Sequence, residues 1–251
     1  LFDPERFEYI LWTLEHANAV TYVSQALKDR AHRLADIHCL SQVIWNSINL
    51  DDFDPKASVG EEYYSLPKPV IASVGEFRQK KGIERILEAY LGLGRQASLL
   101  LVGDFTYRER DFWKSYIAEH LNASDTRIEI TGIIPHHQIL PYYALADLIL
   151  LPSLHDGCPN VLIEALLSGI PVIGTDQGAI GDILRQSGAG IVLDPYSKEG
   201  LIKHINDLMD QPEIRAQMSR KGRDFAQEHF SLSREISELT QVYEAVLASH
   251  P

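Results

Sequence analysis

From Pro69 onward, short apolar runs alternate with stretches of helical period, and this alternation restricts the possible fold more than any other feature of the chain. The runs are Val70–Val74, Ser98–Val102, Arg127–Ile130, Leu148–Leu151, Val172–Gly174 and Ile191–Leu193. Some, such as Leu148-Ile149-Leu150-Leu151, are apolar at every position, which suits strands covered on both faces rather than on one. Between the runs, Ile83, Ile86, Leu87, Tyr90 and Leu91 recur at i, i+3, i+4, i+7 and i+8, and Leu201, Ile202, Ile205, Leu208 and Met209 make a second such stripe. Strands and helices in regular succession build βαβ units around a parallel sheet. The expected fold is therefore α/β, a doubly wound parallel sheet over 69–230, with its sites at the carboxyl ends of the strands.

The flanking regions read differently. Residues 1–50 offer a helical run at Glu5–Ala17, a strand at Ala19–Val23, a helix opening at Ser24 (a good N-cap) and a strand around Val43–Trp45. So few elements enclose little core, so 1–50 is expected to be the tail of an amino-terminal domain that begins outside this chain. Residues 51–68, with Asp51, Asp52, Asp54, Glu61 and Glu62, read as an interdomain linker. Pro212 suits the first position of a helix, and a last helix over 231–251 follows. That helix carries Leu232, Ile236, Leu239, Tyr243, Val246 and Leu247 as a stripe that is expected to pack back on the body.

Charge and cysteine content exclude several functions. With 35 Asp and Glu against 23 Lys and Arg, the net charge is −12, which disfavours nucleic acid and anionic membranes as partners. No apolar run approaches the ~20 residues of a membrane span. Cys39 and Cys158 match neither a metal-binding nor a disulfide pattern, and a reducing, cytoplasmic location is expected. No G-x-G-x-x-G follows the first strand, and no Walker-type loop or G-x-S-x-G elbow is present.

Three segments fall at strand carboxyl ends. In the first, Ser73 to Gly82, Arg78, Lys80 and Lys81, with Arg85 beyond, form a basic cluster at a helix amino terminus. Cations there oppose the helix dipole, and a bound anion would offset that, but a solvated charge run is the alternative. In the second, Pro152 to Asn160 leads into a helix that is apolar except for Asn160, Glu164 and Ser168, which share one face. Asp156 precedes Glu164 by eight residues. A carboxylate only accepts hydrogen bonds and can take two ribose hydroxyls at once, yet Glu164 could equally be a helix former on a wet face. The third, Gly174 to Asp182, is a glycine-rich turn at another helix start. The pair His136-His137 reads as solvated loop, and Cys158 as a small wall residue.

Taken in order, these segments resemble the carboxyl-terminal, donor-binding domain of a GT-B-fold retaining glycosyltransferase of family 4. The resemblance is carried by Val74-Gly75 through Lys81-Gly82, by Leu101-Val102-Gly103-Asp104 and by Ile130-Thr131-Gly132-Ile133. It continues through Tyr143-Ala144-Leu145-Ala146-Asp147, Pro152-Ser153, Asp156 to Ala165, Gly169 to Ile173 and Gly178 to Asp182. Upstream, Ala17 to Ser24 resembles the family's last amino-domain strand, and Val43-Ile44-Trp45-Asn46-Ser47-Ile48 its interdomain crossing.

The resemblance implies a Rossmann-like domain that binds a nucleoside-diphosphate sugar (UDP, GDP or ADP form) and, in the whole enzyme, transfers the sugar with retention of anomeric configuration and without a bound metal. It implies phosphate contacts from Lys81, with Arg78 replacing an arginine usual where Glu76 stands, and backbone contact at Gly75. Glu164 would bind the ribose, and Ile133-Ile134 would form the base shelf. Asp156, with Gly157, Cys158, Pro159 and Asn160, would hold the transferred sugar, and Gly178-Ala179 would add amides. Asp156 stands where glutamate is usual, and Asn46-Ser47 where Asn-Gly is common. Asp156, Lys81 and Arg78 are thus the catalytic candidates. The acceptor, a saccharide or lipid-linked saccharide, would bind the amino-terminal domain, so this chain is expected to bind a donor without transferring its sugar. A GT-B epimerase or hydrolase and a non-catalytic nucleotide-sugar-binding protein are the alternatives.

Overall fold

The computed structural model describes residues 4–50, 66–120, 127–194 and 196–249. A first unit contains helix α1 (Pro4–His16), strand β1 (Ala19–Tyr22), helix α2 (Gln25–Leu34) and strand β2 (Leu40–Val43), the two strands pairing in parallel. Ser24 caps α2, its hydroxyl accepting from the Leu27 amide. The second strand ends at Val43 instead of being centred on Val43–Trp45. Only the Ile44 amide continues the ladder, to Tyr22 O, and Trp45 instead turns toward Phe225 and Phe230. Most of the expected linker, 51–65, lies outside the described residues.

Six parallel strands follow: β3 (Val70–Val74), β4 (Ser98–Val102), β5 (Ile128–Ile130), β6 (Leu148–Leu151), β7 (Val172–Thr175) and β8 (Gly190–Leu193). Their order is β5-β4-β3-β6-β7-β8, so the winding reverses between β3 and β6. In such sheets the crevice for a ligand opens beside that reversal. Alternate strand residues feed two cores, as the two-residue period requires. Val70, Ala72, Leu100 and Ile149 face α6 (Asn160–Leu167), α7 (Ile180–Ser187) and Phe230. Ile71, Leu99, Leu101 and Leu148 face α3 (Ile83–Leu91) and α8 (Lys198–Asp210). Helix α4 (Arg110–His120) follows β4, and α5 (Leu140–Leu145) precedes β6. Asp147 fastens that last turn to the sheet by accepting the Val70 amide at 2.7 Å.

Two helices close the chain, α9 (Pro212–His229), with Pro212 in its first turn, and α10 (Leu232–Ser249). The apolar stripe of α10 is covered only in part, with Leu239 and Val246 half-buried. Leu232, Ile236, Tyr243 and Leu247 are all exposed, and the side of α10 that packs inward is Arg234, Glu235, Glu238 and Val242. Polar ties set the rotation: Glu235 accepts the amide and hydroxyl of Ser47, and Arg234 donates to Trp45 O at 2.6 Å. These charge-assisted bonds tie α10 to the crossing.

Candidate nucleotide-sugar site

The three loops at the carboxyl ends of β3, β6 and β7 are locked together by backbone contacts. Gly82 sits in the left-handed region (φ +78°), and a Cβ there would lie 2.2 Å from Pro152 O. Gly178 (φ +58°) would likewise collide with Asp156 O and Gly157 O. Leu154 N–H donates to Lys80 O at 2.9 Å, and Ala179 N–H to Gly157 O at 2.6 Å. The Ala179 amide is therefore committed to the fold, which corrects the expectation that it offers a donor to a ligand. Glycine is needed at 82 and 178 because backbone meets backbone.

Lys81 and Asp156, 75 residues apart, meet in this crevice, Nζ to Oδ2 at 2.6 Å. Asp156 also takes its neighbour's Gly157 amide on Oδ1 at 3.0 Å, and its side chain is only 11% exposed. Arg78 pairs with Glu76 at 3.3 Å. Arg85 does not join them. Its guanidinium stacks 3.7 Å from the Tyr196 ring and donates to Pro152 O, behind the loop. The α3 backbone carries it one turn below the crevice, where an aromatic face offers a cation–π contact.

Beside Lys81 and Asp156 a small recess of about 110 Å³ passes Gly75 and Glu76, with Pro159 and Val161 on its wall. It leads to a cleft of about 420 Å³ formed by Gly75, Gly103, Tyr107, Ile133 and Ile134 among others. Ile133 is 81% exposed there, an aliphatic surface open to a planar ligand. On the other side lies a crevice of about 490 Å³ bordered by Lys81, Asp156, Gly157 and Gly178. The recess shares Gly75 and Glu76 with the cleft, and Lys81 and Asp156 with the crevice.

Glu164, on α6, is 3% exposed, which removes the wet-face alternative. Tyr143 OH donates to Oε2 at 2.6 Å, and His136 Nε2 lies 2.9 Å from Oε1. Burial, then the adjacent carboxylate, push the Tyr143 hydroxyl well above its ordinary pKa, so it stays a donor. His136 is exposed, as expected of a loop histidine, and is in addition tied to the site. Its ring reaches over the carboxylate while remaining 65% exposed at its side chain, so a competing pair of hydroxyls can replace it. Nothing in sequence spacing links His136 or Tyr143 to Glu164; the fold brings α5, with Tyr143, and the turn before it, with His136, to the carboxylate.

The remaining residues of the second loop have structural duties. Asn46 Nδ2 donates to Cys158 O at 3.0 Å and to Asn160 Oδ1 at 3.1 Å, bracing the loop from the interdomain crossing. The Cys158 thiol is buried, and that burial pushes it up to about 11. A thiolate being the reactive form, Cys158 is a wall and not a nucleophile. Iodoacetamide at neutral pH is expected to modify the half-buried Cys39 and spare Cys158 until denaturant is added; mass spectrometry of the two peptides checks this, and equal labelling in the native state would contradict it. Among the described residues, no group of three His, Cys, Asp or Glu side chains is disposed to hold a metal ion, and no helix is long and apolar enough to cross a membrane.

The reversal point of the parallel sheet thus carries an apolar cleft, a buried carboxylate and a lysine–aspartate pair. The family model of glycosyl transferases group 1 matches residues 63–225. The chain belongs to that family. It is 25% identical over 259 residues to alpha-D-kanosaminyltransferase of Streptomyces kanamyceticus, covering 98% of this chain and 66% of that protein. It is also 25% identical over 251 residues to N-acetyl-alpha-D-glucosaminyl L-malate synthase of Bacillus anthracis, covering 98% and 64%. In structure it resembles the sucrose-phosphate synthase of Thermosynechococcus elongatus, with TM-score 0.88, 26% identity, and coverage of 98% of this chain and 63% of that one. The fold is shared as well by Anabaena Alr3699/HepE, with TM-score 0.81, 19% identity, and coverage of 97% and 68%. The chain thus spans a little under two thirds of the length of the first two relatives.

Proposed function

We propose that this chain is the donor-binding part of a glycosyltransferase that moves a sugar from a nucleoside diphosphate to an acceptor with retention of anomeric configuration. The observation that carries this is a row of three neighbouring spaces that share lining residues, apolar at one end and centred on Lys81 and Asp156, at the sheet's reversal point. In this reading the base lies on Ile133 and Ile134 beside Gly75. The ribose hydroxyls replace His136 on Glu164, and Lys81 with Arg78 faces the diphosphate. Asp156, framed by Gly157, Cys158, Pro159, Asn160 and Gly178, receives hydroxyls of the sugar. Residues 69–230 form the donor domain, 1–50 belong to the acceptor side, 51–68 connect them, and 231–251 pack back across the crossing.

The chemistry follows from charge. Cleaving the sugar–phosphate bond leaves negative charge on the diphosphate, and fixed cations are most effective where that charge develops. In this reading Lys81 holds it, and its ion pair with Asp156 links the phosphate end to the sugar end. Asp156 has both oxygens engaged by Lys81 and the Gly157 amide. In this reading it is an orienting acceptor, held by these two contacts.

Calorimetric titration with UDP-, GDP- and ADP-glucose tests the reading; UDP-glucose is the first probe because the HepE structures hold UDP and glucose. Binding by none of them would end it. Product analysis with labelled donor then separates the enzyme classes, since transfer requires an acceptor, whereas hydrolysis and epimerisation do not. Asn46→Ala provides a finer check. It removes two hydrogen bonds to the sugar-end loop, at about 1 kcal/mol each, so nucleotide-sugar affinity is expected to fall roughly fivefold or more. Affinity for the matching nucleoside diphosphate should stay within twofold, about the scatter of such a titration. Equal losses for both ligands would remove Asn46 from the sugar end.

A further inference from the structure

Two cations that the sequence reading did not connect with the site come from α2. Arg30 and Arg33 lie three residues apart on the helix face that starts at Ala26, and all three border the crevice of about 490 Å³ that Lys80, Lys81 and Asp156 close from the other side. Lys81 and Arg78 already have carboxylate partners, Asp156 and Glu76. The side chains of Arg30, Arg33 and Lys80 make no hydrogen bond or ion pair among the described residues. Three uncompensated cations thus face one space in a chain of net charge −12. An anion that enters the space would be attracted by all three.

Arg30 and Arg33 belong to α2, which precedes the six-stranded sheet, whereas the donor contacts proposed above all come from segments that follow strands of that sheet. The base cleft and the basic crevice share no lining residue. The recess between them touches the base cleft through Gly75 and Glu76, and the basic crevice through Lys81 and Asp156. A donor laid from Ile133 past Asp156 reaches the crevice wall formed by Arg78, Lys81, Asp156, Gly157 and Gly178, while Arg30 and Arg33 border the same crevice from α2. A group that receives the sugar from the α2 side would meet these two arginines. Guanidinium forks match phosphate oxygens in pairs, and two of them with an ammonium form a phosphate clamp.

We propose that the acceptor carries a phosphate group, held by Arg30 and Arg33 of α2 with Lys80. This rests on the donor reading above for the name "acceptor", but the phosphate site itself does not. The phosphate could belong to a soluble sugar phosphate or to a lipid headgroup.

The test is calorimetry on the chain with glucose 6-phosphate, glucose, malate and inorganic phosphate, each with and without a saturating nucleoside diphosphate selected from UDP, GDP and ADP. Co-sedimentation with phosphatidylcholine vesicles, with and without phosphatidylglycerol, forms the lipid arm. Glucose 6-phosphate or the anionic vesicles should bind, glucose and neutral vesicles should not, and saturating nucleotide should leave that binding in place. In Arg30→Gln/Arg33→Gln, where glutamine keeps the helix propensity, phosphate binding should fall about tenfold or more, the loss of one to two charge-assisted bonds. Nucleotide affinity should stay within about twofold, with an unchanged circular dichroism melt. Three outcomes would overturn the proposal: no binding of either phosphate source, malate binding as tightly as glucose 6-phosphate, or an equal loss of nucleotide affinity in the double variant. Failure of every nucleotide to bind, with the phosphate site intact, would instead strike the donor reading.

Discussion

Lys81→Ala is expected to weaken nucleoside diphosphate binding by about 100-fold, the upper range for losing a charge-assisted hydrogen bond of ~3 kcal/mol. Binding of the nucleoside alone should be nearly unchanged. The asymmetry follows from geometry, because Lys81 borders the recess and the basic crevice but not the apolar cleft assigned to the base. The diphosphate affinity of the unaltered chain should also fall with added salt, as contacts at a partly exposed lysine do. Alanine leaves Asp156 with only its Gly157 amide and the distant Ser153 hydroxyl as partners. Some loss of stability is therefore expected, and Lys81→Ala/Asp156→Asn should recover most of it without recovering phosphate binding. Titration of nucleoside and nucleoside diphosphate against each variant, with a parallel thermal melt, reads all of this. Equal losses for the two ligands would show that Lys81 acts through the fold and not on phosphate.

Glu164→Gln should weaken nucleotide binding by roughly ten- to a hundred-fold, from ~1.5–3 kcal/mol of charge-assisted bonding to ribose. The melting temperature should change little. Glutamine retains one oxygen for the Tyr143 hydroxyl, and its amide can donate to the His136 ring, so both neighbours seen on Glu164 stay satisfied. What it cannot do is accept two hydroxyls at once. Nucleotides lacking the ribose hydroxyls supply the complementary measurement: the unaltered protein should discriminate strongly against a dideoxynucleotide, and Glu164→Gln should not. An affinity unchanged by the substitution would leave Glu164 as a buried structural acceptor for Tyr143 and nothing more.

Much of this was legible along the chain. Strands buried on both faces read as uninterrupted apolar runs, and β3, β4 and β6 lie where those runs lie. Ser24 and Pro212 marked helix starts because capping and a fixed φ are local chemistry. Lys81, Asp156 and Glu164 stood out as charged residues at strand ends or on an apolar helix. Less legible was anything that depends on which elements become neighbours. The stripe on α10 was identified, but not that it would be covered only in part, with Glu235 and Arg234 tied to Ser47 and Trp45 O. Arg85 looked like part of the basic cluster until Tyr196, over a hundred residues away, gave it a different partner.

By itself the sequence determined the architecture: periodicity of two and of 3.6 residues prescribes alternating strands and helices, and glycine positions prescribe where loops can touch. Tertiary structure alone decided the partners. It set Lys81 against Asp156 and put Tyr143 and His136 on Glu164. It braced the sugar-end loop with Asn46 and brought Arg30 and Arg33 across to the crevice. Hydrophobic patterning is a property of neighbours in sequence, whereas an ion pair or a hydrogen bond acts over a few ångströms between groups that only folding brings within reach.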